Sequence, residues 1–193
     1  QLNRTLMADL VEQISRLRAA DIDIILVSSG AMASGRHILG VPRRGSDVPF
    51  RQVLAAVGQG HLIHAYQQLF DEYNIPVAQA LLSRRALSDR LGYLNIRNTL
   101  LSLLELGVVP VVNENDVVAS EELAGEIFGD NDNLSAMVAN IVDAEFLVML
   151  GEVGGSFTAA PHVDSTAHLI VEVEQLDNYI EAMAGVSCGG TGQ

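Results

Sequence analysis

Residues 106–133 read LGVVPVVNENDVVASEELAGEIFGDNDN, and the order of residue types in this stretch decides the fold. The apolar run LGVVPVV has the length and β-branched content of a strand buried on both faces, ending at Val112. Two clusters rich in Asn and Asp come after it, Asn113-Glu114-Asn115-Asp116 and Asp130-Asn131-Asp132-Asn133. Beyond them LSAMVANIV carries apolar residues at helical spacing, which predicts a helix over residues 134–142. In open α/β sheets, ligands bind where parallel strands end and the following helices begin. Asn and Asp suit that place because they tolerate turn backbone and cap helix starts. The same clusters also suit two plain capping turns joined by an acidic surface loop.

Working outward toward the start, Leu6, Leu10, Val11, Ile14 and Leu17 predict a helix over 3–20, capped by Asn3 or Thr5. Residues 22–27 read as a buried strand. Ser28-Ser29-Gly30-Ala31-Met32-Ala33-Ser34-Gly35 comes directly after it. Such small residues let backbone approach a ligand, and amides at the next helix start can hold an anion. A tight strand-to-helix turn explains them equally. Residues 40–49 form a loop rich in Gly, Pro and charge. A long helix over 49–73 comes next, with Val53, Leu54, Val57, Leu62, Ile63, Tyr66, Leu69 and Phe70 on its buried face. Gly58 and Gly60 weaken that helix and permit either a close helix approach or a bend near a ligand. A strand over 75–82, a polar connection over 82–95 and a helix over 96–106 lead back to the central stretch. Downstream, strands are predicted over 145–150 and 169–173, a loop or hairpin over 151–168, and a helix over 176–183. This alternation predicts a three-layer α/β/α sandwich with a mainly parallel central sheet, in one domain over 1–193.

Composition narrows the function classes. Hydrophobic residues make up 49% of the chain and aromatic residues only 5%, which fits an aliphatic core under helices. A net charge of −13 argues against nucleic acid and against anionic membrane surfaces, since phosphate contacts need basic patches. No apolar run approaches a membrane span. The single Cys188 excludes an internal disulfide and fits a reducing cytoplasm. The five His residues show no metal-ligand spacing, so no protein-held metal is expected. All 11 basic residues are Arg, and the chain opens at Gln1 directly on a helix. It reads as a piece of a longer chain, with a strand expected before residue 1.

Taken in order, VSSGAMASGR (27–36), LAAVGQ (54–59), YLNIRNTL (93–100), VVPVVNENDVV (108–118) and GDNDNLSA (129–136) resemble the glutamate 5-kinase family of the amino acid kinase superfamily. The resemblance implies transfer of a phosphoryl group from ATP, with Mg²⁺, to the side-chain carboxylate of L-glutamate, the first step of proline biosynthesis. Carried over by position, Ser29, Asp116 and Asn131 would bind glutamate, and Asp132 would organise catalytic lysines. Thr191 and Gly192 match the start of a nucleotide-binding run, and Gly151-Glu152 stand where the family has a nucleotide-contacting Thr-Asp pair. Ala160 replaces an acid in GSFTAAP (155–161), and Gln193 stands in place of a glycine. The family's two lysines would lie before Gln1 and beyond Gln193. The resemblance further implies a homo-oligomer and proline as a feedback inhibitor, with residues 117–128 as a lid or effector segment. A non-catalytic glutamate- or proline-sensing module, or a degenerate subunit of a kinase oligomer, is the alternative reading.

Overall fold

A three-stranded parallel sheet, ordered β1 (Leu26–Val27), β3 (Val109–Glu114) and β2 (Val77–Leu82), forms the middle layer of the larger of two compact units. The structure, a computed structural model, describes residues 2–41, 48–118, 131–151, 154–159, 166–173 and 175. The two units are Gln1–Leu147 and Val148–Gln193. Helices α1 (Arg4–Ala19), α2 (Ala31–Leu39), α3 (Val48–Asp71), α4 (Arg84–Ser88), α5 (Arg90–Glu105) and α6 (Asn131–Ile141) complete the first unit.

Strand side chains alternate between faces, so β3 serves two cores. Val109 and Val111 pack with Met7, Val11 and Ile14 of α1 and with Leu62, Tyr66 and Phe70 of α3. Val112 joins Leu82, Leu100 of α5, and Leu134 and Val138 of α6 in the second cluster. The helices therefore cover both faces of a parallel sheet, the α/β/α arrangement expected from the alternation.

Element boundaries differ from the sequence reading in instructive ways. The strand expected over 22–27 makes ladder bonds only at Leu26 and Val27, against Val111 and Val112. Residues Ile24 and Ile25 still alternate between the two cores, as strand residues do. The polar connection over 82–95 is instead two helices. The Ser83 side chain accepts from Ala86 N–H and opens α4, and Asp89 accepts from Gly92 N–H at 2.8 Å and opens α5. Capping overrides the polarity that makes RRALSDR read as loop. β3 runs two residues past Val112, because Leu81 and Leu82 of β2 supply partners for Asn113 and Glu114. α6 starts at Asn131, three residues before its apolar pattern. At its far end Arg97 donates to the Ile141 carbonyl and pairs with Asp143 at 2.8 Å, satisfying a carbonyl of the last turn.

The second unit is described by itself. Thr158 N–H donates to His168 O at 2.9 Å and Ile170 N–H to Ser156 O at 2.7 Å, around an antiparallel bridge between Phe157 and Leu169. This is the hairpin-like pairing foreseen for 151–168, and the strand expected over 169–173 reduces to that bridge. The strand expected over 145–150 has no ladder among the described residues, and Phe146 is 85% exposed. An apolar run favours a strand only where a sheet edge receives it. The helix expected over 176–183 lies outside the described residues.

One contact fixes the α2–α3 pair. A Cβ on Gly35 would collide with the Leu54 carbonyl oxygen, and one on Gly58 with the Ala31 carbonyl oxygen. The two backbones therefore touch directly. Ser34, 1% exposed, bonds His61 Nδ1 through its Oγ at 2.8 Å beside that crossing. At Gly60, one half-turn on, a Cβ would meet nothing within 4 Å. Gly58→Ala is accordingly expected to destabilise the protein by at least about 1–3 kcal/mol through overpacking. Gly60→Ala is expected to stabilise the free protein by roughly 0.5–1 kcal/mol, the helix-propensity difference. Urea denaturation of the two variants checks the opposite signs.

Candidate functional site

β3 leads into Asn115, whose N–H donates to Leu82 O at 2.7 Å and so continues the pairing one residue beyond the strand. Val118 N–H then donates back to Asn115 O at 3.1 Å, closing a turn with Asp116 and Val117 at its middle. An Asp in that position is ordinary turn chemistry. Its surroundings are not: Asp116 is partly buried and faces a cleft of about 300 Å³ between α3 and the ends of β2 and β3. From α3 the cleft is lined by Ala55, Ala56, Gln59 and Gly60, and from β2 by Gln79 and Leu81. Small residues on the helix side make the room: Gly60 lines the cleft, whereas Gly58 packs against α2.

Burial pushes the Asp116 carboxyl above the ordinary carboxylate value, and the positive charge of Arg51 on α3 works against that shift. A carboxylate kept partly dry gains more from a cationic ligand group than one in open water does.

Beside the cleft, Asn113 donates from Nδ2 to Gln59 Oε1 at 2.8 Å, and both side chains are buried. Gln59 Nε2 is buried without a partner among the described residues. Asn113 opens the first Asn/Asp cluster, whereas Gln59 does not stand out as a site residue in the sequence, although it closes the LAAVGQ stretch. Its only advance signal is a polar residue on the buried face of an otherwise apolar helix.

The other expected site residues are placed as follows. Ser29 is exposed, at the end of β1 and immediately before Gly30, whose φ of +107° turns the chain into α2. Ser28 anchors that turn: its N–H donates to Val112 O at 3.0 Å, and its Oγ bonds the Tyr66 hydroxyl at 2.9 Å. Burial raises the Tyr66 phenol above its usual range, an effect the Ser28 bond opposes, so Tyr66 stays neutral. Asn131 is partly buried and Asp132 exposed in the first turn of α6, where an acid is favoured by the helix dipole. Leu134, one turn on, lies in the same cluster as Leu82 and Val112, which ties the start of α6 to the strand ends. Ser29, Asn131 and Asp132 thus stand at strand-end turns and helix starts, while among the described residues of the expected set only Asp116 lines the cleft. Gly151 is exposed in the second unit, and Glu152, Thr191 and Gly192 lie outside the described residues. Among the described residues, no group of three or more His, Cys, Asp or Glu could hold a metal ion.

Comparison with known proteins adds a family to this geometry. The amino acid kinase family matches residues 2–191. A glutamate 5-kinase of Dehalococcoides mccartyi is 50% identical across the whole chain, which covers 52% of that relative. A glutamate 5-kinase of Herpetosiphon aurantiacus is 48% identical over the same share, and one of Sodalis glossinidius 46%. The chain therefore spans about half the length of the curated relatives it matches.

The Asp116 environment has a measurable consequence. Its folded pKa is raised above that of an exposed Asp, so the folded state holds the proton more tightly than the unfolded chain does. Stability from this group is fully present below the unfolded pKa and is lost as pH rises through the folded one. Asp116→Asn removes that loss. The variant is expected to unfold at a higher temperature than the parent protein at neutral pH. The difference should shrink as pH falls toward the ordinary carboxylate range, as thermal unfolding across pH will show.

Proposed function

The chain belongs to the amino acid kinase family, and from that premise we propose that it carries the amino-acid side of an ATP-dependent glutamate 5-kinase. The observation that carries the reading is the partly buried Asp116 in its cleft. An α-amino acid brings an ammonium group, and a desolvated carboxylate is its natural partner. N-acylated acids lack that charge, and would leave Asp116 facing an uncharged amide.

In this reading, Ser29 and Asn131 donate hydrogen bonds to the substrate's carboxylates, and the amides at the start of α2 add to them. An oxygen of the side-chain carboxylate attacks the γ-phosphorus of ATP. A P–O bond forms there, and the bond from that phosphorus to the bridging oxygen of ADP breaks. The attacking carboxylate is already ionised at neutral pH, so no general base is required. Catalysis then rests on positioning and charge neutralisation. Asp132 orients cationic side chains toward the phosphates, and Gly151, Glu152, Thr191 and Gly192 belong to the nucleotide's side. Mg²⁺ would be held largely through the nucleotide's phosphates. Proline, smaller than glutamate but with the same charged α-carbon groups, would compete at Asp116 as a feedback inhibitor. A homo-oligomer and a cytoplasmic setting complete the proposal; no described helix is long and apolar enough to cross a membrane.

A hydroxylamine-trapping assay on the intact protein tests it. Acyl phosphate is expected from L-glutamate and ATP, and not from N-acetyl-L-glutamate or L-aspartate. Asp116→Asn should raise KM for L-glutamate by about 30-fold or more, the loss typical of truncating one member of a buried charge pair. Product from the N-acetylated acid, or an Asp116→Asn variant with an unchanged KM, would overturn the assignment.

A further inference from the structure

Gln59 is 8% exposed on α3, and its amide is half used. Oε1 accepts from Asn113 Nδ2 at 2.8 Å, which fixes the orientation of the group. Nε2 has no acceptor among the described residues, although Gln59 lines the cleft that contains Asp116. Unpartnered buried donors are rare in folded proteins because each costs free energy, and they call for a specific explanation. Here no described wall of the cleft supplies the acceptor, and a ligand in the cleft would bring one.

We propose that Gln59 is a substrate-binding residue: its Nε2–H donates to the α-carboxylate of the amino acid whose ammonium group Asp116 holds. The inference rests on the glutamate reading and adds a residue to it. Two physical points select the α-carboxylate over the side-chain one. The α-carboxylate shares its carbon with the ammonium group, so a site that holds one places the other beside it. The side-chain carboxylate must meet the phosphoryl donor and stay open to it, whereas Gln59 lines the cleft at only 8% exposure. A dry donor suits the carboxylate that does not react. Asn113 is then a positioning residue, since it holds Oε1 and leaves only the N–H end of the amide for the substrate.

Calorimetric titration of the intact protein tests the proposal with three ligands: L-glutamate, its α-amide L-isoglutamine, and its side-chain amide L-glutamine. The key variant is Gln59→Glu, which is nearly isosteric and keeps an acceptor for Asn113 while replacing the donor with a negative oxygen. Gln59→Met removes both ends, and thermal unfolding of each variant reports the fold independently. Both substitutions are expected to weaken L-glutamate binding by roughly 10- to 100-fold, the range for a hydrogen bond to a charged group. The parent's preference for L-glutamate over L-isoglutamine should shrink in both variants, and its preference over L-glutamine should persist. Unchanged L-glutamate affinity in the folded Gln59→Glu protein overturns the role of Gln59 and leaves the glutamate reading standing. Equal erosion of both preferences also overturns it, because a merely structural change would act without regard to which carboxylate is present. A parent protein that binds no L-glutamate overturns both readings together.

Discussion

Burial of β3 on both faces is the constraint on which the larger unit depends. Val109, Val111 and Val112 are each at most 1% exposed, and no helix could leave its face of the sheet without wetting one of them. At about 25 cal/mol per Å² of apolar surface, full burial of one such side chain is worth about 1.5–3 kcal/mol. The strand's backbone is equally committed. It pairs with β1 on one side and β2 on the other, and its Val112 carbonyl takes the Ser28 N–H that starts the serine turn. The turn after β3 inherits that rigidity. Asn113 is buried against Gln59, Asn115 is tied to Leu82, and Asp116 is thereby held at the cleft with little freedom of its own.

At the cleft the usual matching of polar groups is reversed. Elsewhere such groups near the core find partners: Ser28 with Tyr66, Ser34 with His61, Ser15 with the Val11 carbonyl. At the cleft, a carboxylate is kept partly dry and an amide N–H lacks an acceptor among the described residues. Both features cost the free protein stability, and a ligand of complementary charge would relieve both. Among the described residues, the cleft is where the fold's polar groups are least satisfied.

How much of this is legible in the sequence depends on the range of the interaction involved. α1 and α3 are readable because their apolar spacing is local, and the 113–116 cluster because Asn and Asp directly after an apolar strand point to a strand-end turn. The start of α5 is hidden because RRALSDR is largely polar, though Ser83 and Asp89 are in place as caps. Asn113 and Glu114 read as loop because their strand partners, Leu81 and Leu82, lie far away in the chain. Gln59 is inconspicuous for the same reason: its meaning comes from a residue 54 positions downstream. The two glycines of α3 look alike in the sequence, and only three dimensions assign one to packing and the other to the cleft.

The Gly35–Gly58 crossing also bears on how the site can respond to what enters it. Side chains can change rotamer and take up slack, but two backbones in direct contact have no such play. The serine turn at the head of α2 and the cleft wall on α3 are therefore mechanically one body, like the fixed jaw of a vice. The opposite jaw, the turn at Asn115–Val118, is itself tied down by two backbone hydrogen bonds. The width of the cleft is thus set by backbone on both sides rather than by side-chain rotamers.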